Sequence, residues 1–329
     1  MHLDFEAGII FDSAAVNRFS VFADVHSPQV RPYTLSIVDL HSHTTASDGS
    51  LSPIQLYKRA HSQNVTTLAI TDHDTHAACQ YLHSVSLPSG PRIIPGIELS
   101  TTWSGVEIHI IGLNFSLDNP DLDIIVQKQS QARYQRSLHI AKQLARRLPL
   151  GLSAEMIFAA VLLEAKKAQQ IASDGFYLPD ERIQTGRPHF AKWLKREGLV
   201  KNDQEAFKKY LSNNRLGNLR AFWPSMSQGV ARIRGVGGSA VLAHPGKYGM
   251  TRTKLKALIS DFKLAGGHAL EVVGCNVPSS QIQQIASFCQ EFSLKGSQGS
   301  DFHNPESPWV ELGRLTGMPK NVIPIWEGW

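Results

Sequence analysis

Short apolar runs at 37–40, 65–70, 93–99, 240–244 and 294–299 each close on, or are followed at once by, His, Asp or Glu. Helix-like stretches separate most of them. This recurrence constrains the fold more than any other feature. Imidazole and carboxylate are costly to bury without partners, so a chain that repeats them where strands end needs an architecture that gathers those ends. A parallel α/β barrel does this, because the C-terminal ends of its strands form one mouth.

The most compact instance is His41-Ser-His-Thr-Thr-Ala-Ser-Asp-Gly49, after the strand expected at 37–40. Residues i and i+2 of an extended chain share a side, so His41 and His43 can aim at one point, with Asp48 nearby. Taken alone, the pair is read equally well as polar packing. Ser52-Pro53-Ile54-Gln55 then starts a helix with a capping box. A strand at 65–70 leads to His73, and a helix follows at 75–85. A strand at 93–99, interrupted by Pro95-Gly96, carries Glu98. Residues 107–113 form a strand with apolar content suited to burial on both faces, as in parallel sheets. Its His109 is the exception, lying inside the strand. After Gly237-Gly238 the alternation resumes, with strands at 240–244, 269–273 and 294–299 and helices at 252–265 and 279–291. The outer two strands end at His244 and at Asp301-Phe-His303.

Between 118 and 235 the pattern is helical, with segments expected at 121–147, 153–168, 188–197, 203–211 and 225–234. The expected organisation is a barrel from 37–117 and 236–329, interrupted by a helical insertion, 118–235. Residues 1–36 lack a period and are expected to be a poorly ordered extension. The aromatic tail 308–329 is expected to pack on the barrel edge.

His41, His43, Asp48, His73, Glu98, His109, His244, Asp301 and His303 thus form a nitrogen and oxygen donor set without thiolate, suited to Mn, Fe or Zn. Nine donors exceed the needs of one ion, so two or three ions sharing a bridging carboxylate are expected. Such ions generate hydroxide near neutrality and stabilise a leaving oxygen. The cysteines Cys79, Cys275 and Cys289 form no C-x-x-C and read as reduced thiols of a cytoplasmic protein. The sequence shows no signal peptide and no apolar run long enough to span a membrane. A net charge of +5 favours anionic ligands.

The segments DLHSHTTASDG (39–49), AITDHDT (69–75), PGIELS (95–100), EIHIIGLN (107–114), VLAHPGKY (241–248) and SQGSDFH (297–303) resemble the motifs of the PHP (polymerase and histidinol phosphatase) superfamily. Within it they resemble the branch of RNase AM and related 3′,5′-nucleoside bisphosphate phosphatases. The resemblance covers about 37–329. It implies a distorted (β/α)7 PHP barrel with a trinuclear site, usually Mn²⁺, held by those nine residues. It also gives a substrate role to Arg133 and Arg136, which share a helix face, and to Arg187 and His189 in Thr185-Gly-Arg-Pro-His189, with His189 also a proton donor. Asp48 and His303 would touch substrate as well. Lys247 and Tyr248 either reach the mouth or pack behind it.

The expected activity is metal-dependent phosphoester hydrolysis by activated hydroxide. It would be a 5′-3′ exoribonuclease on 5′-phosphorylated RNA, contributing to ribosomal RNA 5′-end maturation, a 3′-phosphatase of nucleoside 3′,5′-bisphosphates, or both. RNA 5′ ends and short nucleotides are the expected partners, with no membrane and no protein partner. A small-molecule phosphatase of the histidinol-phosphatase type, or an inactive module that binds RNA or a protein, is the alternative.

Overall fold

The computed structural model describes residues 36–172 and 174–329. The expectation for the N-terminal extension therefore lies, apart from Ser36, outside the described residues. Seven strands form one sheet in chain order: β1 (Ile37–Asp39), β2 (Val65–Ile70), β3 (Arg92–Trp103), β4 (Val106–Leu113), β5 (Ser239–Leu242), β6 (Ala269–Gly274) and β7 (Lys295–Gly299). The edges meet where the Leu40 N–H donates to the Gln298 carbonyl at 3.0 Å, and the Gln298 amide donates to the Val38 carbonyl at 2.8 Å. The chain is α/β, and the sheet closes into a barrel. Gly299 lies against the His41 backbone and Cβ so closely that no side chain fits there, which lets β7 come alongside the His41-x-His43 segment.

The expectation of a parallel sheet fails at β4. Strands β1–β3 and β5–β7 pair in parallel, but β3/β4 and β4/β5 are antiparallel. The reason is local. Strand β3 is longer than expected and runs unbroken through Pro95-Gly96 to Trp103. Only Ser104-Gly105 separates it from β4, and both residues have positive φ, +46° and +71°. A two-residue turn with left-handed backbone makes a hairpin. Strand β4 is apolar on both faces because both are covered, whichever way it runs. Its reversal also explains the anomalous His109: the early part of a reversed strand lies at the end where its neighbours finish.

The remaining elements are α1 (Pro53–Ser62), α2 (Ala77–Ser84), α3 (Pro120–Ala145), α4 (Ala154–Ala172), α5 (Arg187–Arg196), α6 (Asp203–Ala206), α7 (Asn213–Leu216), α8 (Met226–Gly235), α9 (Arg252–Leu264) and α10 (Ser279–Glu291). Helix α1 has the capping box read in the sequence, with Ser52 accepting from the Gln55 N–H and the Gln55 side chain from the Ser52 N–H. Residues 207–211 after α6 form a wider π turn rather than a continuous helix.

Apolar burial separates two regions. Ile140, Ile157, Phe190, Trp193, Leu194 and Leu216 belong to a core made only by the helices between β4 and β5. Met226, Val230 and Ile233 of α8 instead join the strands' own core, as do Leu122 and Ile125 at the start of α3. One long helix, α3, therefore roots in the barrel at one end and in the helical core at the other. In the tail, Ile325 is buried with Val38, Ile94 and Val241, and Trp326 and Trp329 pack against them, whereas Trp309 is exposed. No helix among the described residues is long and apolar enough to cross a membrane.

The hairpin gives a direct test. A Cβ on Gly105 would meet nothing within 4 Å, so Gly105→Ala carries only the left-handed backbone penalty. We expect it to lower the unfolding free energy in urea by about 1 kcal/mol.

Candidate metal centre

The strand ends converge on one buried carboxylate. Glu98, on β3, is almost fully buried and faces five imidazoles. Its Oε1 lies 2.9 Å from His109 Nδ1 and 3.1 Å from His244 Nε2. Its Oε2 lies 3.0 Å from His73 Nδ1, 3.3 Å from His43 Nε2 and 3.4 Å from His41 Nε2. His41 and His43 do lie on one side, their ring centroids 5.2 Å apart. Asp301 Oδ1 is 3.4 Å from the Nε2 of each. Asp48 closes the other flank, 3.4 Å from His303 and 3.8 Å from His43 and His73. All nine residues singled out in the sequence thus come together.

Backbone strain helps aim them. His244 and Asp301 have φ of +29° and +56°, the left-handed region that L residues avoid. Each sits just past a strand, where the turn swings the side chain into the mouth. The Asp301 N–H donates to the His41 carbonyl at 2.9 Å, which ties the two ends together.

The donors fit divalent cations. His43, Asp48, His73 and His303 offer atoms close enough to share one ion, as do His41, His43 and Asp301, and His73, Glu98 and His109. His244 stands outside these groups but contacts Glu98. Buried His41 Nε2, both His43 nitrogens, His73 Nδ1, Glu98 Oε2 and His244 Nδ1 have no hydrogen-bond partner. Orphans on this scale are costly, and a cation is the partner that imidazole lone pairs and carboxylate oxygens share. Burial alone would favour neutral acids at Asp48, Glu98 and Asp301. Nearby imidazoles, His73 foremost for Asp48 and Glu98 and His41 for Asp301, instead hold all three well below the usual carboxylate range. Burial, then His303, pushes His43 down to about 3, so its ring is neutral, as a ligand must be.

Three carboxylates that the sequence reading missed set this geometry. Glu271, in β6, accepts from His41 Nδ1 at 2.9 Å and from the His244 N–H at 2.6 Å. This leaves His41 Nε2 facing the cluster, the usual way a carboxylate orients a metal-binding imidazole. Asp72 accepts from the Thr44 N–H, the Thr44 hydroxyl and the Ser47 hydroxyl at 2.6–2.7 Å, shaping the loop that carries Asp48. Glu107, two residues before His109, lies 3.7 Å from that ring. A charged residue inside an otherwise apolar strand was the available signal for Glu107 and Glu271. Of Lys247 and Tyr248, Lys247 reaches the mouth and pairs with Asp301 Oδ2 at 2.6 Å. Tyr248 packs behind it, its hydroxyl accepting from the His109 N–H and donating to the Ala243 carbonyl.

A cationic cluster adjoins the donors. Arg133 and Arg136 of α3 are buried, and each stacks on Trp223 at 5.2 Å. The Arg133 fork is largely committed: Nε donates to Asp74 at 2.9 Å, and Nη2 also pairs with Asp74 and donates to Ser100 Oγ at 3.1 Å. Arg136 has only long contacts to Glu107, at 3.4 and 3.5 Å, and its buried Nε has no partner. Arg187 Nη2 lies 3.9 Å from the same Glu107. His189, at the start of α5, accepts from the Gly186 N–H at 3.1 Å through Nδ1. Burial, then Lys192, pushes it down to about 4. This favours the neutral ring, whose Nε2 is left to donate a hydrogen bond.

A model of the PHP domain family matches residues 39–170. The chain is 38% identical to the 5′-3′ exoribonuclease Rnm of Escherichia coli, over 89% of this chain and 94% of that one. It is 31% identical to a 3′,5′-nucleoside bisphosphate phosphatase of Chromobacterium violaceum, over 88% and 95%. Among solved structures, an amidohydrolase from Chromobacterium violaceum with bound sulfate and no metal superposes with a TM-score of 0.74 at 30% identity, covering 89% of this chain and 95% of that one.

The Asp74–Arg133 pair makes a testable stability claim. Both partners are buried, so Asp74→Ala strands a guanidinium and should cost about 3–5 kcal/mol in a denaturant titration. Burial opposes the Asp74 charge, but Arg133 and the Ser100 N–H outweigh it and hold the carboxyl below its ordinary 3.8. A depressed folded value stabilises above the unfolded value and is lost as pH falls through the folded one. The wild-type stability should therefore drop below about pH 4, with a shallower drop in Asp74→Asn.

Proposed function

The chain belongs to the PHP domain family, and from that premise we propose that it is a metal-dependent phosphoesterase that reads phosphorylated 5′ ends. In this reading it removes nucleotides from the 5′ end of RNA, as in ribosomal RNA maturation, and releases the 3′-phosphate from nucleoside 3′,5′-bisphosphates. The relatives named an exoribonuclease and a bisphosphate phosphatase support both activities. The observation that carries the proposal is a charge imbalance beside the donor cluster. Three guanidiniums, Arg133, Arg136 and Arg187, are served by two carboxylates, Asp74 and Glu107. Arg136 keeps a buried nitrogen unpaired. A terminal phosphate supplies the missing anion and the missing acceptor.

We assign the nine-residue set as the metal ligands, with Glu98 bridging, and two or three Mn²⁺ as the ions; Fe or Zn suits the same donors. Bound divalent ions supply Lewis acidity, neutralising charge on phosphoryl oxygens and lowering the pKa of water. The protein's own side chains supply the measure. Arg136 and Arg187 grip the 5′-phosphate, Arg133 adds its remaining nitrogen, and His189 adds a neutral hydrogen bond. The next phosphate toward the 3′ side then rests at the donor cluster. Water adds to that phosphorus in line, the bond to the 3′-oxygen of the first nucleotide breaks, and the proton passes to that oxygen. Segment 118–235 carries the clamp, and segments 37–117 and 236–329 carry the ligands. A cytoplasmic location completes the reading, supported by three free cysteines.

The test is an incubation with 5′-monophosphorylated RNA, 5′-hydroxyl RNA and a nucleoside 3′,5′-bisphosphate in Mn²⁺. We expect single nucleotides from the first, little from the second, and inorganic phosphate from the third, all abolished by chelation. Equal rates on the two RNAs would remove the clamp. Arg136→Ala should reduce kcat/KM on 5′-phosphorylated substrate by at least roughly thirtyfold, the scale of one lost charged contact, while sparing a 5′-hydroxyl diester. Asp301→Asn should lose bound metal by elemental analysis and lose turnover, with its circular dichroism unchanged; full activity after metal reloading would refute its ligand role.

A further inference from the structure

Glu107 reaches both halves of the mouth. It sits on β4 two residues before His109, so the two share a face. Strand β4 is the reversed strand, and its early residues lie where the other strands end. The Glu107 carboxylate meets Arg136 Nη2 at 3.4 and 3.5 Å through its two oxygens, Arg187 Nη2 at 3.9 Å and His109 Nε2 at 3.7 Å. These are charge contacts from three side chains rather than one tight hydrogen bond.

We infer that Glu107 is a positioning residue that holds Arg136 and Arg187 together and fixes their distance from the donor cluster, and so sets where a 5′-phosphate must sit relative to the scissile bond. The inference rests on the clamp reading above. Arg136 is buried and Arg187 half-buried, its Nη1 donating to Asn213 Oδ1 at 3.3 Å; two like-charged guanidiniums so poorly solvated are held adjacent by a shared anion. Aromatic faces support them, Trp223 under Arg136 and Phe207 under Arg187, but rings leave the mutual repulsion in place. Arg136 shows the strain of its surroundings: burial, opposed by Glu107 and reinforced by Arg187, brings its guanidinium down to about 10. Because Glu107 stands on the same strand as His109, the arginines are referenced to the donor cluster through two residues of rigid backbone.

Glu107→Gln keeps the shape and removes the charge; Glu107→Asp keeps the charge and shortens the reach. Calorimetry on the full chain would give the Kd of adenosine 5′-monophosphate. Steady-state kinetics would compare a 5′-phosphorylated with a 5′-hydroxyl diadenosine, alongside elemental analysis and thermal melting. For Glu107→Gln we expect Kd and KM for the phosphorylated ligands to rise roughly tenfold or more. The ratio of kcat/KM for the 5′-phosphorylated over the 5′-hydroxyl substrate should fall by a similar factor with metal retained, the melting temperature should fall because buried Arg136 loses its anion, and Glu107→Asp should recover part of the loss. Unchanged or tighter adenosine monophosphate binding in Glu107→Gln would overturn the inference, the tighter result meaning that the carboxylate competes with phosphate. Equal losses on both substrates with metal loss would overturn it in favour of a role through His109. If wild type itself ignores the 5′-phosphate, the clamp reading falls and this role falls with it. If wild type discriminates and Glu107→Gln discriminates equally, only the role of Glu107 falls.

Discussion

A single buried carboxylate organises this molecule. Glu98 is buried on β3, and a lone carboxylate there would cost several kcal/mol. Five imidazoles surround it instead. His41 and His43 follow β1, His73 follows β2, His109 belongs to β4 and His244 follows β5. The five rings arrive from four strands of the sheet. The barrel must close, and β4 must turn back on β3, before the charge is compensated. The hairpin at Ser104-Gly105 is therefore part of the site as well as of the fold: it sets Ser100 opposite His109 in the register and brings that ring to within 2.9 Å of Glu98.

Around this centre a second tier of acids works on backbone and side-chain donors. Asp39 accepts from the Ser300 N–H at 2.8 Å and the Gly313 N–H at 2.9 Å, joining the start of the sheet, the end of β7 and the tail. Asp72 holds the loop of Asp48, Glu271 turns His41, and Asp74 anchors Arg133. Burial raises the carboxyls of Asp39 and Asp72 despite their hydrogen bonds; among imidazoles, burial loses at Glu98, Asp48 and Asp301. The same physical cost thus has opposite outcomes, decided by whether the partners are dipoles or potential cations.

This difference also explains what the sequence made legible. Residues at strand ends stand out because an apolar run stops at them, which made His41, His43, His73, Glu98, His244, Asp301 and His303 legible together; Asp48, in a turn, and His109, inside its strand, stood out only beside them. The direction of β4 could not be read from its apolar content, because burial on both faces says nothing of polarity. The informative signal was the two-residue Ser-Gly turn, hidden by ending β3 four residues early. Glu107 and Glu271 each interrupt a strand once, which carries no period, and their partners lie far away in sequence or on another element. The commitment of Arg133 to Asp74 was equally invisible: helix spacing pairs Arg133 with Arg136, yet only the fold shows that one fork is occupied and the other is short of partners.

The two halves of the mouth differ in what they attract. The donor cluster presents lone pairs and carboxylates suited to cations; beside it three guanidiniums share two carboxylates. In the proposed reading a ligand with one phosphate would engage only one half. A ligand with two phosphates spaced by one nucleoside would engage both. The repeat of a nucleic acid backbone and the 3′,5′-bisphosphate share that spacing, so one geometry suits both substrate classes proposed for the chain. Length discrimination then needs no recognition of the base. It needs only a fixed interval between the two charged regions, and β4, with Glu107 and His109 on one face, is the stretch of backbone that spans it.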